Sequence, residues 1–162
     1  MFSAVLLSSA EKLLTDACRK NLKIATAESC TGGLIAGLLT EIAGSSDVFE
    51  RGFVTYSNTA KEEALGVPQD LIAAHGAVSA EVARAMVQWA LKHSRADLAV
   101  AVTGIAGPGG GTPDKPVGLV HIVAARGEKI IHRECRFGDI GRTEIRLKSV
   151  ATALELVEAL LA

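Results

Sequence analysis

With 162 residues, 49% of them apolar, the chain has the length of one domain and is too apolar to stay disordered; a fold of this size buries roughly 70% of its unfolded surface without a metal or disulfide staple. Seventeen Lys and Arg stand against eighteen Asp and Glu, so the footprint of a protein that binds duplex nucleic acid or an anionic membrane is absent. Cys18, Cys30 and Cys135 are an odd set with neither CxxC nor Cys/His ligand spacing, which argues against a disulfide framework and a metal site and fits a reducing cytoplasm.

In chain order, apolar residues at 2, 6, 10, 13, 14, 17 and 18 recur at helical spacing, predicting an amphipathic helix over 3–20 that Asn21 closes. The apolar stretch Phe2 to Leu7 is too short for a signal sequence, with Glu11, Lys12 and Asp16 continuing the helix behind it. No run reaches membrane-spanning length. Residues 23–27 read as a strand, the chain turns through Gly32 and Gly33, and Leu34, Ile35, Leu38, Leu39 and Ile42 form a second helical stripe. Residues 50–57 predict another strand. A short helix follows from about Thr59 to Leu65, with Ser57 or Asn58 as N-cap and Gly66 as its end. Pro68 begins a further helical turn, and Ser79 caps a helix carrying Val82, Met86, Trp89 and Ala90 to about Ser94.

Leu98 to Val102 is a near-continuous apolar run, the pattern of a strand buried on both faces of a sheet. A Gly- and Pro-rich loop leads to strands at 117–125 and 129–137, paired as a hairpin around Arg126-Gly127, and Leu147, Val150, Ala151, Leu154, Val157 and Leu161 line a closing helix. Strands alternating with helices and then a hairpin predict one α/β domain over 1–162: a three-layer α/β/α sandwich on a mixed, mostly parallel sheet. Ligands of such sheets gather beyond the carboxyl ends of the strands. Three loops meet that condition: Glu28 to Gly33, Tyr56 to Lys61, and Thr103 to Gly118.

Ser29, at a strand end before a helix, is the candidate nucleophile, with the backbone N–H groups of Cys30, Thr31 and Gly32 as candidate oxyanion donors. Judged on that loop alone, a serine helix cap explains the residues at least as well. His75, His93, His121 and His132 all fall outside the three loops and GxSxG is absent, so no Ser-His-Asp triad is suggested. Lys61 is the alternative base, in the first turn of its helix where the dipole and partial burial both disfavour its charge; a solvated surface lysine is the commoner fate of the residue type. Tyr56, the single tyrosine, is placed to orient Lys61 or donate to a leaving group, or simply to pack. Cys30 ranks second as nucleophile and would define a redox module instead. Gly104 to Gly111 lets backbone approach a ligand, and Lys115 beside it can meet a phosphate; the loop is not a Walker motif, and its prolines favour a binding loop over a flexible connection.

These same blocks, ATAESCTGG (25–33), GFVTYSNTAK (52–61), HGAVS (75–79) and TGIAGPGGGTPDKPVG (103–118), resemble the signature blocks of the CinA C-terminal domain family, in order and over nearly the whole chain. The resemblance implies a nicotinamide-nucleotide amidohydrolase that converts nicotinamide mononucleotide and water to nicotinic acid mononucleotide and ammonia, with no metal or cofactor. It implies Ser29 as nucleophile, Lys61 as base, Tyr56 as its assistant, and nucleotide contacts from Thr103, Gly104, Ala106, Gly107, Gly110 and Lys115. Gly138-Asp139-Ile140-Gly141-Arg142 departs from the family's GDR pattern, which leaves Arg142 open as a phosphate contact. The pyrophosphatase activity of the larger N-terminal domain in full-length relatives is not implied. The competing expectation is a non-catalytic nucleotide-binding or adaptor domain in competence or DNA damage responses. A homodimer is expected only on the general ground that small domains often bury apolar surface against a second copy.

Overall fold

The computed structural model describes residues 2–162; of the span 1–162 expected to form one domain, Met1 lies outside the described residues. Five strands, β1 (Ile24–Glu28), β2 (Phe49–Val54), β3 (Leu98–Gly104), β4 (Leu119–Arg126) and β5 (Lys129–Arg136), form one sheet in the order β2-β1-β3-β4-β5. β1 pairs in parallel with both β2 and β3, and β4 is antiparallel to both β3 and β5. Four strands therefore share one direction and β4 alone opposes them, the mixed, mostly parallel sheet that the hairpin required.

Helices cover both faces. On one lie α1 (Ala4–Arg19), α2 (Leu34–Glu41) and α6 (Arg142–Leu161), packed on Leu98, Val100, Val102, Ile122 and Ala124. On the other lie α4 (Gln69–His75) and α5 (Ala80–Lys92), packed on Ala25, Ala27, Ala99, Ala101 and Val123. Alternate residues of β1 and β3 thus serve opposite cores, and alanine at every second position lets α5 lie close to the sheet. The three-layer α/β/α sandwich follows from this two-sided burial.

Between β2 and α4 the chain makes α3 (Asn58–Ala60), capped by the Ser57 hydroxyl, and runs into a π-helical segment, Lys61–Leu65, that Gly66 ends in the left-handed region. The single short helix expected at 59–65 is thus split in two by the wider π turn. Two other boundaries shift. β2 stops at Val54, so Thr55 and Tyr56 leave the strand rather than end it, and α6 begins at Arg142, a turn before its apolar stripe. Among the described residues no helix is long and apolar enough to cross a membrane.

Candidate active site

From β1 the chain moves to β2 on one side of the sheet and later returns to β3 on the other. The loops leaving the carboxyl ends of β1 and β3 therefore diverge, opening a crevice of the kind in which parallel sheets hold ligands. A cleft of about 290 Å³ lies there, lined by Ser29, Tyr56, Lys61, Thr103, the glycine loop and Arg142 among others. A larger cleft of about 410 Å³ between α1 and the turn before β2 contains Cys18, Glu11 and Asp47. It has none of the three strand-end loops, and the chemistry belongs to the smaller one.

Ser29 follows β1 directly and is 8% exposed; its N–H is held by Val102 O at 2.9 Å, which ties the nucleophile loop to β3. Lys61 is 1% exposed, and its Nζ donates to Ser29 Oγ at 3.0 Å and to Thr55 O at 2.9 Å. Thr55 N–H is in turn bound to Glu28 O at 2.9 Å, so the backbone that orients the lysine is anchored on β1. Burial pushes the Lys61 amine below its ordinary pKa, partly opposed by Cys30. Among the described residues no carboxylate bonds its ammonium. A buried amine without an anionic partner favours its neutral form, whose lone pair can accept the serine proton.

The expected supports of the pair are rearranged. Tyr56 does not reach Lys61: it is 59% exposed, and its hydroxyl accepts from Arg142 Nη2 at 2.7 Å. The orienting contact is the Thr55 carbonyl, which sequence reasoning missed because a backbone acceptor leaves no residue-type signal. Cys30 is buried and burial raises its thiol to about 12, so the thiolate expected from a helix terminus does not form at neutral pH. That terminus is already occupied. The buried Glu28 carboxylate accepts from Thr31 Oγ1 at 2.7 Å and from the N–H groups of Gly33, Ile35 and Ala36 at 3.2, 3.0 and 2.9 Å. Gly32 N–H is also spent, on Ser29 O at 2.9 Å. Among the described residues, Cys30 N–H beside Ser29 has no acceptor in another residue.

Thr103 is buried, its hydroxyl bonded to Ala77 O at 2.8 Å, and with Gly104, Ala106, Gly107 and Gly110 it lines the cleft. Gly104 is required by close approach, since a Cβ there would stand 2.7 Å from Val120 Cγ2 and 2.9 Å from Leu119 O. Lys115 is not brought to the cleft: its ammonium is held by His75 O at 2.6 Å, facing a separate groove with Glu81 and His121. Arg142, at the start of α6, lines the cleft instead and bonds Gly107 O at 2.8 Å. Asn58 also lines it, and Arg146, one turn along α6, bonds Cys30 O and Thr31 O at 3.1 and 2.9 Å. Arg146 was not singled out in the sequence, and Asn58 was read there only as a possible N-cap. Among the described residues no group of three or more His, Cys, Asp or Glu is arranged to hold a metal ion.

Comparison with known proteins places the chain among relatives. The model of the CinA C-terminal domain matches residues 7–161. The chain is 54% identical over 134 residues to the nicotinamide-nucleotide amidohydrolase PncC of Escherichia coli strain K12, covering 82% of this chain and 80% of that protein. It is 50% identical over 145 residues to a Caldicellulosiruptor bescii protein named for competence-damage induction, covering 89% of this chain but only 34% of that one. The chain thus spans about a third of the longer relative. The crystal structure of the competence/damage inducible protein CihA from Agrobacterium tumefaciens superposes with a TM-score of 0.98 at 55% identity, covering 100% of this chain and 99% of that one.

Proposed function

This chain belongs to the CinA C-terminal domain family, and we propose that it hydrolyses the carboxamide of nicotinamide mononucleotide to nicotinic acid mononucleotide and ammonia through Ser29 and Lys61. At the level of the family, nicotinamide-nucleotide amidohydrolase activity is supported by the 54% identity to the Escherichia coli enzyme over most of both chains. The observation that carries the finer reading is the 3.0 Å contact between a buried Lys61 Nζ and Ser29 Oγ at the cleft. A domain that only bound a nucleotide would aim such a lysine at the phosphate, whereas Lys61 Nζ is directed to Ser29 Oγ and the Thr55 carbonyl.

In the proposed cycle, neutral Lys61 takes the Ser29 proton as Oγ attacks the carboxamide carbon, and the developing oxyanion meets the Cys30 N–H. Lys61 then returns the proton to the departing nitrogen, which leaves as ammonia, and Ser29 holds the acyl group as an ester. Water attacks that ester, Lys61 accepts its proton and gives it back to Ser29 Oγ, and the acid is released. The oxyanion interaction is worth roughly 3 kcal/mol in comparable sites. Arg142, with Tyr56 and the backbone of Gly104 to Gly110, is assigned to the nucleotide's phosphate and ribose. Lys115 is no longer assigned to it, because its charge is committed elsewhere.

The test is a substrate panel on the purified protein, with products identified by mass. Ammonia and nicotinic acid mononucleotide from the mononucleotide, with little from free nicotinamide, is the expected result. Equal turnover of free nicotinamide would remove the nucleotide assignment, and no turnover of either by folded protein would remove the reaction.

A further inference from the structure

We propose that Arg146 is a positioning residue that aims the oxyanion-binding amide at the nucleophile through two peptide planes; this deepens the serine amidohydrolase reading and rests on it. The guanidinium bonds two successive carbonyls, with Nε to Cys30 O at 3.1 Å and Nη2 to Thr31 O at 2.9 Å. In a trans peptide the C=O and the following N–H point in opposite directions. Holding Thr31 C=O toward α6 therefore turns Gly32 N–H away from α6, and that N–H is bound to Ser29 O at 2.9 Å. Ser29 C=O, so held, turns the next N–H, that of Cys30, the other way. Cys30 lines the cleft, and its N–H has no acceptor in another residue among those described.

The order of dipoles runs from the Arg146 charge through Thr31–Gly32 and Ser29–Cys30 to the place where negative charge develops. Each bond in such a line is strengthened by polarisation of the one before it. Thr31 is held a second time, its hydroxyl donating to the Glu28 carboxylate at 2.7 Å. Two donors fixed in one plane are what guanidinium supplies and ammonium does not, so lysine is a poor substitute. Arg142 and Arg146 lie one turn apart on α6, the first on Tyr56 and Gly107 and the second on the nucleophile loop. The first two turns of this helix thereby tie together all three loops of the cleft.

Arg146→Gln and Arg146→Lys test the assignment by two readouts. Turnover of nicotinamide mononucleotide is expected to fall about 10- to 100-fold in kcat for Arg146→Gln at nearly unchanged KM, with partial recovery in Arg146→Lys. The second readout is binding of pyridine-3-boronic acid, whose boron accepts Ser29 Oγ while the serine proton passes to Lys61, giving a tetrahedral adduct visible by boron NMR. Arg146→Gln should weaken that adduct at least tenfold while the Kd for nicotinic acid mononucleotide stays within twofold of wild type. Wild-type turnover and adduct affinity in Arg146→Gln, or equal losses of adduct and product binding in both variants, would overturn the proposal. A wild type that forms the Arg146-dependent adduct yet releases no ammonia would keep this assignment and remove the amidohydrolase reading instead. Absence of any adduct in a wild type that turns over would refute the aimed amide.

Discussion

Lys61 holds its place beside Ser29 at a cost that titration exposes. Burial lowers its pKa, so the base is in its neutral form over a wider range than an ordinary lysine, and kcat/KM should rise with pH and level off below the usual lysine pKa of about 10.5. The same shift has a stability sign. Between its folded pKa and the ordinary value the unfolded chain binds more protons, so stability rises with pH there, and the Tm of wild type relative to Lys61→Met should climb across that window. A flat difference would mean that the amine is not desolvated. Cys30, raised to about 12, should resist iodoacetamide at pH 7.5 while the exposed Cys18 reacts; labelling of Cys30 would revive the redox reading. Ser29 and Lys61 were legible as residue types in strand-end loops, and Arg142 was raised only through the family's GDR pattern. Glu28 and Arg146 were not legible, because what they do is bond backbone, and a carbonyl or amide leaves no mark in the sequence. Lys115 was misplaced for the complementary reason: its neighbour along the chain is a glycine loop, but its partner in space is the carbonyl of His75.

Among the elements, the return from the glycine loop into β4 is the tightest point. Gly118 has φ +89°, its N–H bonds Ile105 O at 2.8 Å, and a Cβ on it would collide with the backbone of Gly138. Gly118→Ala should cost about 3 kcal/mol or more, read as a lowered denaturant midpoint, and should weaken nucleotide binding because Ile105 lines the cleft. The β4–β5 hairpin carries a second dependence. His121 Nδ1 and His132 Nε2 lie 3.0 Å apart, which needs one ring to donate and the other to accept. Burial first, then neighbouring positive charge, lowers both pKa values; His121 faces His132 and Lys115 and His132 faces Arg84, with Glu134 and Glu81 opposing. As pH falls below about 6.5 the unfolded chain takes up protons that the folded pair resists, so stability is lost on acidification. His132→Gln should flatten the fall in Tm between pH 7 and pH 5, and an unchanged slope would assign it to other groups. The helices and the hairpin were readable from periodicity and turn residues. The π segment was not, since its five residues have the same composition as one α turn, and α6 begins before its stripe with Arg142, which lines the cleft.

For the whole molecule, the order of β2, β1 and β3 matters most: the chain goes one way from β1 and comes back on the other side, so the site forms where β1 and β3 end. The sheet's two-sided burial was plain in the apolar run of β3. Strand order was not, because alternation along a strand records which face is buried and not which strand lies beside it. Residence in the cytoplasm and pairing with a second copy are proposals, and sedimentation at micromolar concentration decides the second. The central claim is the Ser29–Lys61 pair, and ammonia release from nicotinamide mononucleotide by wild type, Ser29→Ala and Lys61→Ala tests it most directly. Release by wild type that falls at least a thousandfold in both variants, with each still folded and binding the nucleotide, is the predicted result. Release by either variant at the wild-type rate would contradict the pair.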